Sequence, residues 1–152
     1  MEKQYKTIKI VNLKMVRESS LKYEAISGKT DVLAIAKTIF ENSAIEKVLI
    51  IGVDNHNSPV IIHINNGGIN QCMVYPSTIF KLLLLSNSAS FIICHNHPGD
   101  SMTISNEDWK ITKQLFSMGK LMEIPLLDHV IFNSDFTKSV SLRQNHEWHL
   151  MG

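Results

Sequence analysis

The chain has 152 residues, 15 Lys and Arg against 14 Asp and Glu, and a formal net charge of +1. Hydrophobic residues at 44% and charged residues at 19% give the composition of a globular domain and exclude collagen-like, mucin-like and disordered classes. The near-neutral balance removes any global bias toward nucleic acid or anionic membrane.

A chain of about 150 residues buries roughly 68–70% of its unfolded surface, so a single domain with a real core is expected over residues 1–152. The alternation of apolar and polar residues over 7–16, with one slip near Ile10 and Val11, predicts an N-terminal strand with a bulge. Thr30 or Asp31 is placed to cap a helix through Leu33, Ala36, Ile39 and Phe40. The nearly continuous apolar run at 46–53 predicts a strand buried on both faces, and Asp54 to Asn57 turn it into a second strand over 59–64, making a hairpin. Gly67 and Gly68 break that strand, and 69–74 resumes it or starts the next. Pro76 and Ser77 open a helix through Leu85, since proline suits a first turn. Residues 89–94 form another buried strand that runs into the loop His95-Asn96-His97-Pro98-Gly99-Asp100. Ser105 begins a helix to about Met118, with Gly119 as its stop. Strands over 126–132 and 137–142, joined by a turn at 133–135, complete the chain, while 143–152 shows no period. Strands interleaved with about three helices predict an α/β sandwich around a mixed sheet.

Several functional classes fall away. Cys72 and Cys94 are too few and too far apart for a disulfide framework or a Cys-rich zinc module. The first residues lack the apolar core of a signal peptide, and the apolar runs at 48–53 and 82–85 are far below the ~20 residues that cross a bilayer. The cytoplasm is the expected location, with both thiols reduced and no membrane partner. Charge is uneven: residues 1–30 hold seven Lys and Arg against three Asp and Glu (+4), the remainder eight against eleven (−3). The lysines read first as the solvated face of the N-terminal strand, with a nucleic-acid contact as the alternative.

Seven histidines are what the composition leaves to explain. If the chain is still extended at His95 and His97, the strand period puts both imidazoles on one side, where two neutral rings make good zinc ligands. The pair alone is weak. Asp108, in the first turn of the next helix, can point back toward the same strand end, and two His with one Asp leave a fourth position for water, the mark of a catalytic rather than a structural zinc site. Ser105 and Asp108 are also spaced as a capping box, so Ser105 is open to a capping role, a catalytic role or both. Glu46, at the head of a buried strand, is a candidate base for the water proton, although a strand-end acid is its plainer reading.

The stretch His95-Asn96-His97-Pro98, followed by Ser105-x-x-Asp108, resembles the JAMM (MPN+) metalloprotease signature in the form found in bacterial RadC proteins. Glu46 with Asp54 eight residues later, Leu13 to Glu18, Gly68 to Asn70, Val74 to Pro76 and Leu127 to His129 fall in the order expected of that family, so the resemblance covers roughly residues 8–142. It implies a three-layer cytidine-deaminase-like sandwich holding one zinc per chain on His95, His97 and Asp108. It also implies Glu46 as general acid/base and Ser105 as a hydrogen-bonding partner of the oxyanion or the attacking water. The implied activity is hydrolysis of peptide or isopeptide bonds in an unknown protein or peptide substrate. The sequence departs from the family where His-Pro-Ser-Gly reads His97-Pro98-Gly99-Asp100 and where Pro-Arg-Glu reads Pro76-Ser77-Thr78, and the chain leaves no room for the helix-hairpin-helix region of longer relatives. These changes bear on substrate recognition and DNA association rather than on the metal.

The remaining residues read more plainly. His56, His63, His146 and His149 are expected at the surface or in packing, Cys94 in the core, Trp109 in packing with an active-site wall as the alternative, and His129 in a hydrogen bond that supports the site. Nucleobase deamination would need His-x-Glu and a later Pro-Cys-x-x-Cys, both missing. A non-proteolytic metal-binding module in DNA repair or replication restart is the alternative that the RadC resemblance offers. A degenerate scaffold is disfavoured because no metal ligand is lost.

Overall fold

The computed structural model describes residues 23–40, 45–66, 75–97 and 101–152. The expected N-terminal strand with its lysines, the stretch 67–74 with Cys72, and the loop at Pro98, Gly99 and Asp100 lie outside the described residues. The chain runs through α1 (Lys29–Phe40), β1 (Lys47–Val53), β2 (Pro59–Asn66), α2 (Pro76–Leu85), β3 (Ser90–His97), α3 (Asn106–Leu121), β4 (Leu126–Asn133) and β5 (Ser139–Ser141), then a 3-10 turn (Leu142–Gln144) and the short α4 (His146–His149). Among the described residues, the five strands form one mixed sheet in the order β2-β1-β3-β4-β5, with β3 and β4 parallel and the other neighbours antiparallel.

β1 shows why the central strands are apolar on both faces. Val48 and Ile50 pack with Phe91, Ile93 and Ile131 against Phe80 and Leu83 of α2 and Leu115 of α3. Leu49, Ile51 and Val53 pack on the opposite face with Ile92, Cys94 and Val130 against Ile35, Ala36 and Phe40 of α1. Helices thus cover both faces, and a two-sided strand needs a continuous apolar run rather than an alternating one. The β1–β2 hairpin closes as expected: Asp54 Oδ1 accepts from the backbone N–H of His56 at 2.8 Å and of Ser58 at 2.9 Å.

Four details differ from the sequence expectation. Asp31 sits inside the first turn of α1, not before it, and its Oδ2 reaches back to the Ser27 N–H at 2.8 Å and the Ser27 hydroxyl at 2.6 Å. Those bonds, the hydroxyl's foremost, hold the Asp31 carboxyl below its usual range. β3 runs three residues past Cys94, because pairing with β4 continues to His97↔Asn133. α3 runs past Gly119 and ends at the Met122 cap, with Glu123 taking the left-handed turn at φ 56° and the Ile124 N–H bonding Gly119 O at 2.9 Å. In place of an aperiodic tail, Asn145 caps a four-residue helix that buries Trp148 edge-on against Phe116, ring centroids 5.4 Å apart. No helix among the described residues is long and apolar enough to cross a membrane.

Gly119 is therefore a packing glycine. A Cβ there would fall 2.7 Å from the Ile124 carbonyl oxygen and 3.1 Å from the Leu126 nitrogen, both backbone atoms that cannot swing away. Gly119→Ala is expected to lower unfolding free energy by about 1–3 kcal/mol in urea titrations, despite the ~1 kcal/mol that alanine's helix propensity returns. An unchanged or raised midpoint would contradict this. Cys94 is fully buried, and burial pushes its thiol well above the ordinary range. Peptide mapping after a brief iodoacetamide pulse should find Cys94 unmodified in the native protein and modified in denaturant.

Candidate metal centre

Because β3 stays extended through its end, His95 and His97 project to the same side with their Nε2 atoms 3.0 Å apart. α3 follows β3 and starts beside that strand end. Its first turn is a complete capping box: the Asp108 N–H donates to Ser105 Oγ at 3.0 Å, and Asp108 Oδ2 accepts from the Ser105 N–H at 2.8 Å and the Ser105 hydroxyl at 2.7 Å. The cap leaves Asp108 Oδ1 facing His95 Nε2 at 3.2 Å, while Oδ2 lies 3.6 Å from His97 Nε2. Among the described residues, His95, His97 and Asp108 form a group whose ligand atoms all lie within 4.8 Å of one another, an arrangement that could hold a metal ion.

The donor geometry suits a small ion. Two nitrogens bound at ~2.0–2.1 Å to one tetrahedral centre stand roughly 3.3 Å apart, close to the separations found here. His95 is 0% and Asp108 2% exposed, whereas the His97 side chain keeps 18%, so the cluster opens on the His97 side. Burial works against the Asp108 charge, but hydrogen bonds from His95 and His97, the His95 charge and the Ser105 hydroxyl outweigh it and hold the carboxyl well below its usual range. The Asp108 hydrogen bond raises His97; burial opposes it, and the Ser101 carbonyl, the Asp108 charge and the Glu46 charge add to the rise.

Glu46 stands at the same end of the sheet. β1 begins at the next residue and pairs Val48 with His95. Asn96, whose side chain faces away from the two imidazoles, bonds the backbone on both sides of Glu46: its Oδ1 accepts from the Lys47 N–H at 2.7 Å and its Nδ2 donates to Ile45 O at 3.1 Å. Behind the cluster, His95 Nδ1 meets His129 Nε2 at 2.8 Å, the supporting contact expected of His129, and His129 Nδ1 meets the Thr112 hydroxyl at 2.6 Å. Burial pushes the His129 imidazole far below its ordinary range.

The structure thus brings His95, His97, Asp108 and Ser105 into direct contact and sets Glu46 near enough for its charge to act on His97. Sequence reasoning missed Thr112 and Asn96. Thr112 carried a usable signal, being one helical turn after Asp108 and so on its face; Asn96 carried only its alternation against the two histidines.

A model of the RadC-like JAB domain matches residues 26–148, a span that contains every residue of the cluster. The chain belongs to the RadC-like JAB domain family. It is 33% identical over 141 residues to a UPF0758 protein of Clostridium perfringens, covering 92% of this chain and 58% of that one. A UPF0758 protein of Clostridium botulinum is 40% identical over 101 residues, 64% of this chain and 42% of its own. One of Bacillus pumilus is 44% identical over 78 residues, 51% and 34%. The chain therefore spans at most 58% of the length of these relatives.

Asn96 is 1% exposed and fastens the start of β1 to the strand that carries His95 and His97. Replacing it with alanine removes the partners of the Lys47 N–H and the Ile45 carbonyl. Asn96→Ala should cost about 1–3 kcal/mol in equilibrium unfolding. An effect below ~0.5 kcal/mol would show that water replaces the amide at no cost.

Proposed function

We propose that the chain is a zinc-dependent hydrolase of the JAMM type, cleaving peptide or isopeptide bonds in a protein or peptide substrate. The observation that carries this reading is the convergence of His95, His97 and Asp108 at the end of β3, with one side of the cluster open. Two imidazoles and one carboxylate are the donor set of a catalytic zinc site, which keeps a position for water. Membership of the RadC-like JAB family agrees with it, as do helices on both faces of a mixed sheet, the layering of a cytidine-deaminase-like sandwich. The match over residues 26–148 supports one domain.

Zinc, when bound, supplies Lewis-acid polarisation of the scissile carbonyl and lowers the pKa of water toward ~7. The chain's own groups handle the protons and the geometry. His95, His97 and Asp108 hold the ion; Asp108 is fixed by the α3 cap, so it has no need to reorganise on binding. Glu46 takes the proton of the attacking water and passes it to the leaving amine, and the Asn96 bonds to residues 45 and 47 keep its backbone in place. Ser105 sits at the start of α3, where the helix end favours negative charge. Its hydroxyl donates to Asp108 in the resting site, and turning that proton toward the oxyanion is the motion its role requires.

DNA association gains no further observation here, since six of the seven Lys and Arg of residues 1–30 lie before residue 23, outside the described residues. The missing His-x-Glu and Cys pair disfavour deamination.

Elemental analysis of reconstituted protein should give one zinc per chain, lost in His97→Ala. With a library of peptide and isopeptide substrates, Glu46→Gln should keep its zinc while losing ~10²–10⁴-fold in rate. Wild-type protein that takes up no zinc, or Glu46→Gln that turns over at the wild-type rate, would contradict the assignment.

A further inference from the structure

We propose that Thr112 is a positioning residue for the metal centre: acting through His129, it keeps a proton on His95 Nδ1, so that Nε2 is the nitrogen offered to an ion beside His97 and Asp108. This inference rests on the metal-binding reading of that cluster and concerns how its most deeply buried ligand is prepared for an ion.

The direction of the chain of contacts follows from counting protons. The Thr112 hydroxyl has one proton, and its oxygen lies 2.5 Å from the Asp108 carbonyl oxygen one helical turn earlier. Two oxygens that close repel unless a proton lies between them, and a carbonyl has none to give, so Thr112 donates to Asp108 O. Toward His129 it can then only accept, so His129 Nδ1 carries the proton of the 2.6 Å contact. His129 is 0% exposed, and its two ring nitrogens meet an imidazole and a hydroxyl, an arrangement in which one of them donates and the other accepts. Its Nε2 is therefore bare and accepts from His95 Nδ1 across 2.8 Å. With a metal ion in place of the proton that His95 shares with Asp108, a His95 whose Nδ1 proton is spent on His129 offers the ion its Nε2 lone pair, at the atom 3.2 Å from Asp108 Oδ1 and 3.0 Å from His97 Nε2.

His97 is set the same way in one step. Its Nδ1 lies 3.1 Å from the Ser101 carbonyl oxygen, which only accepts, so the proton stays on Nδ1 and Nε2 is left for the ion. Two backbone carbonyls thus orient two ligands: Ser101 directly, and Asp108 through Thr112 and His129. The second path also links the ligand Asp108 to the ligand His95, because the carbonyl that directs the relay belongs to the residue whose carboxylate completes the site. Partners that fix a ligating imidazole in this way typically affect metal affinity 10–100-fold.

The test compares Thr112→Val, which keeps the shape and removes the acceptor, with Thr112→Ser, which keeps the hydroxyl. Zinc affinity is read by competition with a chromophoric chelator, and the histidine protons by long-range 1H–15N correlation spectra of the zinc-loaded wild type. Thr112→Val should bind zinc roughly 10–100-fold more weakly and Thr112→Ser close to the wild-type value, and the wild-type spectrum should show His129 protonated at Nδ1 and bare at Nε2. A folded Thr112→Val with wild-type affinity, or a wild-type His129 protonated at Nε2, overturns the relay while leaving the metal site intact. If Thr112→Val does not fold, the wild-type spectrum decides alone. A wild type that binds no zinc overturns the metal reading and the relay with it.

Discussion

One carboxylate ties the helix start to the strand end. Asp108 Oδ2 closes the capping box of α3 through Ser105, and Oδ1 faces the buried imidazole of His95. A buried carboxylate is costly unless it is hydrogen-bonded and paired, and Asp108 satisfies both needs with groups from two elements. The capping interaction that the local sequence favours is thus the one that aims the carboxylate at the two histidines. Losing it would free the first turn of α3 and the third corner of the His95, His97 and Asp108 cluster together.

The sheet supplies the other half of this arrangement. β3 lies at the centre, antiparallel to β1 and parallel to β4, and α3 makes the crossover between β3 and β4. A crossover helix that follows a strand begins near that strand's C-terminal end, so the α3 N-terminus meets the histidines by topology alone. β1 runs the opposite way, which brings its first residues, and Glu46 before them, to the same end of the sheet. His129 arrives from β4, paired with Ile93 two residues before His95. Residues scattered from 46 to 129 are therefore gathered at one end of three adjacent strands.

Much of this could be read from the residues. The continuous apolar runs marked the central strands because both faces are covered, and the spacing of His95, His97 and Asp108 marked the cluster because strand and helix periods are regular. Ser105 could not be assigned from spacing, since a capping box and a catalytic serine ask for the same pattern; the structure shows its hydroxyl engaged in the cap. Gly119 misled because a glycine that ends a helix and one that lets a strand approach look alike in sequence, and the difference lies in the Ile124 and Leu126 backbone. The tail around Trp148 was unreadable because a four-residue helix is too short to show a period. Thr112 is a mixed case: its place one helical turn after Asp108 puts it on the face of the cluster, but its contact with a histidine 17 residues away is one no local pattern encodes.

His95, His97 and Asp108 are expected to bind one zinc through two nitrogens and an oxygen. X-ray absorption at the zinc edge, on wild-type protein loaded with one equivalent, tests that most directly. The expected spectrum has nitrogen and oxygen neighbours at ~2.0–2.1 Å with the outer-shell signature of two imidazoles. A sulfur neighbour at ~2.3 Å, or a shell of oxygens without imidazole, would contradict it.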